Sequence, residues 1–172
     1  MDTLFTGRQI IRLEAVASTN TFMQEYLKTS DLPEGTVVIS DEQFGGRGQR
    51  GNQWESEAGK NLTFSLLYKP AFLPIPQQFD LNRLAALAVY ETLRFFVPQE
   101  RISIKWPNDM LVNEKKIGGI LIENNLRESS IQNSIIGIGL NINQTAFRLA
   151  PQATSMLQIS GKMIKQELVF NH

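Results

Sequence analysis

The chain has 172 residues, 17 lysines and arginines against 17 aspartates and glutamates, one histidine and no cysteine. That length suits a single domain, residues 1–172, able to bury roughly 70% of its unfolded surface, and the balanced charge argues against a dedicated nucleic-acid binder. Without cysteine, and with His172 as the last residue, thiol chemistry is excluded, and imidazole catalysis and Cys- or His-built metal sites are not expected.

In chain order, residues 10–16 alternate loosely and read as a strand. Ser18, Thr19, Asn20 and Thr21 offer helix N-caps, with Thr21 and Gln24 at capping-box spacing. Phe22, Met23, Tyr26 and Leu27 then recur at helical spacing until Pro33 and Gly35. Residues 36–40 are rich in β-branched side chains and read as a buried strand, whereas 41–61 are polar, glycine-rich and without apolar period. Residues 62–68 form another strand, after which Pro70, Pro74 and Pro76 break the pattern. The longest helix is expected over 81–97, with Leu84, Ala88 and Tyr90 through Leu93 on its apolar face and Pro98 ending it. Residues 102–106 read as a strand closed by Pro107. Residues 110–112 and 117–123 read as hairpin arms around Asn113-Glu114-Lys115, and 134–143 as a last strand. Early helices followed by consecutive strands predict an α+β fold with a mixed or largely antiparallel sheet. The N-terminus lacks a basic-then-apolar leader and no apolar run reaches ~18 residues, so a soluble cytoplasmic protein with no membrane partner is expected.

Three segments carry chemistry. The loop Gln43-Phe44-Gly45-Gly46-Arg47-Gly48-Gln49-Arg50-Gly51-Asn52 joins amides that small residues leave accessible to two arginines, a composition suited to anions, although it is not a P-loop. A solvated flexible loop is the plain alternative. Lys105-Trp106-Pro107-Asn108-Asp109 is followed by Lys116-Ile117-Gly118-Gly119, and a tight hairpin brings Asp109 near Lys116. The pair is either a surface ion pair or, in a cleft, an anion-holding lysine beside a carboxylate that orients an amine or Mg²⁺. In Ile136-Gly137-Ile138-Gly139-Leu140-Asn141-Ile142-Asn143, a period of two puts isoleucine and leucine on one face, glycine and asparagine on the other. That second face is either a groove or a site of close packing.

In this order and rough spacing, Ser18-Thr19-Asn20, Gly46-Arg47-Gly48-Gln49-Arg50-Gly51 with Trp54, Lys105-Trp106-Pro107-Asn108-Asp109, Lys116 with Gly118-Gly119, and Gly137-Ile138-Gly139-Leu140-Asn141 resemble the biotin protein ligases (biotin–[acetyl-CoA-carboxylase] ligases) over about residues 10–156. The resemblance implies a biotin/lipoate ligase core similar to the class II aminoacyl-tRNA synthetases. It implies ATP-dependent formation of biotinyl-5′-AMP, then transfer of biotin to a lysine of a biotin carboxyl carrier protein, with biotin, ATP and Mg²⁺ as small-molecule participants. Carried over by motif position, Ser18, Thr19, Gln43 and the Arg47 backbone are expected at the biotin ureido ring. Gly119, Gly137 and Gly139 are expected to admit the bicycle and tail. Lys116 is expected at the carboxylate and α-phosphate, Asn141 at the adenylate end, and Asp109 orienting a metal or the incoming amine. The Gly46 loop with Arg47 and Arg50 is expected to neutralise phosphate and close over the intermediate. No dedicated metal site is expected.

The sequence departs from the family pattern in three ways. Gln49 and Asn52 stand where some relatives carry arginine, which shifts adenylate retention onto Arg47 and Arg50. No DNA-binding domain is expected before residue 10, and the usual C-terminal β-barrel is expected to be absent. A homodimer through sheet edges is a further expectation. Two alternatives stand beside the ligase: a lipoate or octanoate transferase of the same fold, and a non-catalytic biotin-binding module.

Overall fold

β-Branched and leucine-rich runs dominate the strands of this computed structural model, which describes residues 6–128 and 130–172. In chain order they are β1 (Ile10–Val16), β2 (Val37–Gln43), β3 (Leu62–Tyr68), β4 (Ile102–Lys105), β5 (Asp109–Val112), β6 (Lys115–Arg127) and β7 (Ser130–Leu140). The α-helices are α1 (Thr19–Thr29), α2 (Phe79–Phe96), α3 (Met156–Ser160) and α4 (Gln166–Asn171). The strands make one seven-stranded sheet in the order β1-β2-β3-β7-β6-β5-β4. β1 and β2 are parallel, joined through α1, and every other pair is antiparallel, so the sheet is mixed and the fold α+β as expected.

Alternation along β2 sends its residues to opposite sides of the sheet. Val38 joins Met23, Leu32, Leu67 and Ile135 beneath α1. Val37 and Ile39 join the larger core with Leu93 of α2, Met156 of α3 and Phe170 of α4. The sheet is therefore sandwiched between α1 on one face and α2 with the C-terminal helices on the other.

Local chemistry sets the element ends and corrects several expectations. Ser18, not Thr21, caps α1: its Oγ accepts from the Thr21 amide at 3.5 Å, which places Thr21 inside the first turn. Helix α2 ends at Phe96, because Val97 precedes Pro98 and is held out of the helical region. Its inward face is Leu81, Ala85, Ala86, Val89 and Leu93, while Leu84 and Ala88 are exposed. The turn between β5 and β6 has two residues, Asn113 and Glu114, both at positive φ (49° and 66°), the geometry that matches strand twist in a tight hairpin. The β6–β7 hairpin extends well past the expected arms. Its polar outer part is held by side-chain bonds across the strands, from Ser134 Oγ to Asn124 Oδ1 (2.7 Å) and from Asn125 Nδ2 to Asn133 Oδ1 (2.8 Å). β7 stops at Leu140 rather than continuing to Asn143, and α3 and α4 follow where no element was expected. No helix among the described residues is long and apolar enough to cross a membrane.

Leu67 and Leu93 are completely buried, one in each core. Leu67→Ala and Leu93→Ala are each expected to lower stability by about 2–5 kcal/mol in urea unfolding, with a single transition retained. A loss below about 1 kcal/mol for either would contradict the packing described.

Candidate active site

The loop between β2 and β3 lies across β6 and β7 because the sheet beneath it lacks side chains at particular points. A Cβ on Gly139 would sit 2.4 Å from the Trp54 indole, and one on Gly119 would sit 3.3 Å from the same ring. A Cβ on Gly137 would sit 2.3 Å from Asn20 Oδ1. Both readings of the glycine face hold at these positions: Trp54 and Asn20 pack closely against the glycines, and the same glycines border an open cavity. The loop is folded on itself. The Trp54 amide donates to Gly46 O (2.9 Å), the Gly48 amide donates to Asn52 O (2.7 Å), and Arg47 and Gln53 form an isolated antiparallel bridge. Gly46 is needed at that crossing, since its Cβ would lie 2.4 Å from Trp54 O.

A cavity of about 320 Å³ opens between this loop, the start of α1, the β4–β5 turn and strands β6 and β7. Its walls bring together Ser18, Thr19, Gln43, Arg47, Arg50, Asp109, Lys116, Gly119, Gly137 and Gly139. Gly46 lies on the outer side of the loop, facing a second cavity. Asn141 is not in the cavity wall. It is 2% exposed, and its Nδ2 donates to Thr154 O at 3.0 Å. The Thr154 amide in turn donates to Lys116 O at 2.8 Å. The chain turns away after Leu140, so the Asn141 amide nitrogen braces the segment beside Lys116, while its buried Oδ1 has no hydrogen-bond partner among the described residues.

One wall is a buried polar chain. Gln43 Oε1 accepts from the Thr19 amide (3.0 Å) and lies 3.2 Å from Thr19 Oγ1. Ser65 Oγ is 2.7 Å from Thr19 Oγ1 and 2.6 Å from Asn20 Oδ1. The asparagine oxygen can only accept, so the Ser65 proton points there. Asn20 Nδ2 donates to Leu121 O (3.2 Å) and Glu123 Oε2 (2.8 Å), and Arg47 Nη2 meets the same carboxylate oxygen at 2.8 Å. The result is a fixed array of amides and hydroxyls, satisfied and therefore rigid, suited to a small polar ring.

The opposite end is cationic. Lys116 Nζ is 2.7 Å from Asp109 Oδ1 and 5.9 Å from the Trp54 ring centroid, a distance suited to cation–π attraction. The two residues are not directly opposed, since Asp109 pairs with Gly119 and Lys116 with Leu111. A register shift between Met110 and Leu111 brings the side chains together. Arg47, Arg50, Lys105 and Lys116 line the cavity against a single carboxylate, Asp109. A chain with no net charge thus concentrates positive charge in one cleft.

The sequence singles out neither Ser65 nor Glu123, and it marks Asn20 and Trp54 as helix cap or motif members without a contact assigned to either. The available signals were weak: a serine in step with Thr63 on one face of a mostly apolar strand, and a glutamate at the end of the apolar run of β6.

Comparison with known proteins places this geometry. The family model of the biotin/lipoate A/B protein ligases matches residues 13–141. The bifunctional ligase/repressor BirA of Bacillus spizizenii is 36% identical over 170 residues, 96% of this chain and 51% of its own length. The biotin–[acetyl-CoA-carboxylase] ligase of Paracoccus denitrificans is 35% identical over 86% of this chain and 62% of its own. Among solved structures, the biotin protein ligase of Aquifex aeolicus in complex with biotin and ATP superposes with a TM-score of 0.77 at 34% identity, covering 95% of this chain and 66% of that one. The biotin protein ligase of Leishmania major in complex with biotinyl-5-AMP also gives 0.77, at 26% identity, covering 95% and 71%. The chain thus spans only about half to two thirds of the length of most of these relatives. Its match to the family model over most of its residues, on a fold shared with these structures, shows that the chain belongs to the biotin/lipoate A/B protein ligase family.

Proposed function

We propose that the chain carries a biotin–[acetyl-CoA-carboxylase] ligase activity, forming biotinyl-5′-AMP from biotin and ATP and passing the biotinyl group to a lysine of a biotin carboxyl carrier protein. The observation that carries this reading is the division of one cavity into a neutral polar wall, Ser18, Thr19 and Gln43, and a cationic end, Arg47, Arg50 and Lys116. The first suits the ureido ring of biotin, the second a carboxylate beside phosphates. Family membership and the relatives solved with biotin and ATP support the same assignment.

The chemistry needs neither imidazole nor thiol. Biotin's carboxylate is ionised at neutral pH and attacks the α-phosphorus of ATP, the bond to the β-phosphate oxygen breaks, and pyrophosphate leaves. The protein's task is alignment and charge neutralisation. In this reading Lys116 holds the carboxylate and α-phosphate together, Arg47 and Arg50 neutralise phosphate, and Asp109 keeps the lysine oriented and then faces the incoming amine. In the second step the carrier lysine attacks the mixed-anhydride carbonyl, AMP departs and the amine loses its proton. A glycine-rich loop over the cleft keeps water from the anhydride.

Mg²⁺ fits this site as a companion of the nucleotide. Asp109 is the one carboxylate in the cavity wall, and no group of three His, Asp or Glu among the described residues is placed to hold a metal. Such an ion would be held largely by ATP phosphates with Asp109 beside them, and it would neutralise phosphate charge. We further assign the reaction to the cytoplasm, where ATP and carboxylase carriers meet, and a homodimer to pairing at β1 or β4, which stand at the two ends of the strand order.

Biotin-dependent exchange of labelled pyrophosphate into ATP is the first test. Exchange with biotin, together with biotinyl-5′-AMP by mass spectrometry, is expected. Exchange with lipoate or octanoate instead would assign the chain to the other branch, and biotin binding without exchange would make it a binding module. Lys116→Ala is expected to slow adenylate formation about 100-fold or more with little change in unfolding, and a rate within twofold of the parent would remove Lys116 from the mechanism. Arg47→Ala is expected to weaken biotin or adenylate binding about 10- to 100-fold by calorimetry, the cost of a lost charge-assisted bond. Unchanged affinity would contradict its role.

A further inference from the structure

We propose that Glu123 is a positioning residue: it holds Arg47, and through Arg47 the glycine-rich loop, over the cleft. The proposal rests on the ligase reading for its kinetic consequence but not for its structural one.

Glu123 is not part of the cavity wall. It faces the second cavity, which Arg47 and the rest of the loop also line, and meets Arg47 Nη2 at 2.8 Å. An exposed ion pair usually contributes little. This one differs in its setting, since the carboxylate is 26% exposed and the arginine 42%. The oxygen that meets Arg47 also accepts from Asn20, which is buried at 3% and linked through Ser65 to Thr19 and Gln43. The carboxylate is thereby fixed by the core before the arginine arrives, so Arg47 pays the ordering cost alone.

Among the described residues, the Arg47–Glu123 bond is the only side-chain hydrogen bond from residues 44–53 to the rest of the protein. The backbone bonds at the start of the loop, from Phe44 and Gly45 to Val16 and Ala17, hold its base, and the Gly48–Asn52 bond only closes it on itself. The tip is therefore tied down by two contacts, the Trp54 ring on Gly119 and Gly139 and the Arg47 fork on Glu123. Arg47 commits Nη2 to Glu123, which leaves its Nε and Nη1 for a substrate carboxylate or phosphate. Glu123 thus sets the arginine's aim without occupying the donors that meet the ligand, and it couples the loop to the polar wall expected at the ureido ring.

The test uses limited trypsin digestion and exchange kinetics on the parent, Glu123→Ala and Glu123→Gln. Trypsin cuts after Arg47 and Arg50 in the loop and after exposed Lys162 far from it. Glu123→Ala is expected to raise nicking at Arg47 and Arg50 at least fivefold while cleavage at Lys162 keeps the parent's rate, with Glu123→Gln, which retains a neutral acceptor, in between. In pyrophosphate exchange, Glu123→Ala is expected to raise the KM for biotin at least fivefold with kcat within twofold. In an Arg47→Ala background it is expected to add no further loss. Unchanged loop nicking, or fully additive losses in the double variant, would overturn the proposal. Absence of exchange in the parent would instead overturn the ligase reading, and the digestion alone would then decide the role of Glu123.

Discussion

The cleft depends on the absence of a side chain at Gly137 and Gly139. With no Cβ at these points of β7, Asn20 and Trp54 press directly against the sheet, at distances no larger residue permits. Everything around the cavity is then placed relative to those two. Asn20 reaches Glu123 and fixes the carboxylate that meets Arg47, while Trp54 lays the second half of the loop over Gly119 and beside Lys116. A central antiparallel strand supplies this geometry at little cost, because its other face, Ile136, Ile138 and Leu140, carries the core packing.

The electrostatic design follows from composition. Charges balance over the whole chain, yet four cations and one carboxylate line a single cavity. A reaction that starts from an ionised carboxylate and a polyphosphate asks for fixed positive charge and rigid donors, not for a group that titrates near neutrality. The chain, with its one histidine at the last position and no cysteine, is equipped for the former. Lys116 is kept from wandering by Asp109 on one side, the Trp54 ring on another, and a backbone bond to Thr154.

Much of this was legible before any coordinates. The strand at 36–40 is marked by its β-branched content and the one at 10–16 by loose alternation, while the approach of Asp109 to Lys116, expected from a tight hairpin, also needs the register shift between Met110 and Leu111. The failures have physical causes. Helix α2 carries apolar residues around much of its circumference, so Leu84 and Ala88 were as eligible for the inward face as Ala85 and Val89, and only packing decides. The outer β6–β7 hairpin has only Leu126 and Ile131 among its polar residues, too few apolar positions to set a period. Glu123 and Ser65 were invisible because their importance lies in partners 76 and 45 residues away.

The account is tested most directly by a crystal structure of this chain with biotin and a non-hydrolysable ATP analogue. It predicts both molecules in the cavity beneath the glycine-rich loop, the bicycle against Thr19 and Gln43, and the carboxylate within hydrogen-bond distance of Lys116 Nζ and next to the α-phosphate. Ligands bound elsewhere, or a cavity that Trp54 and Asn20 leave too small to admit biotin, would contradict it.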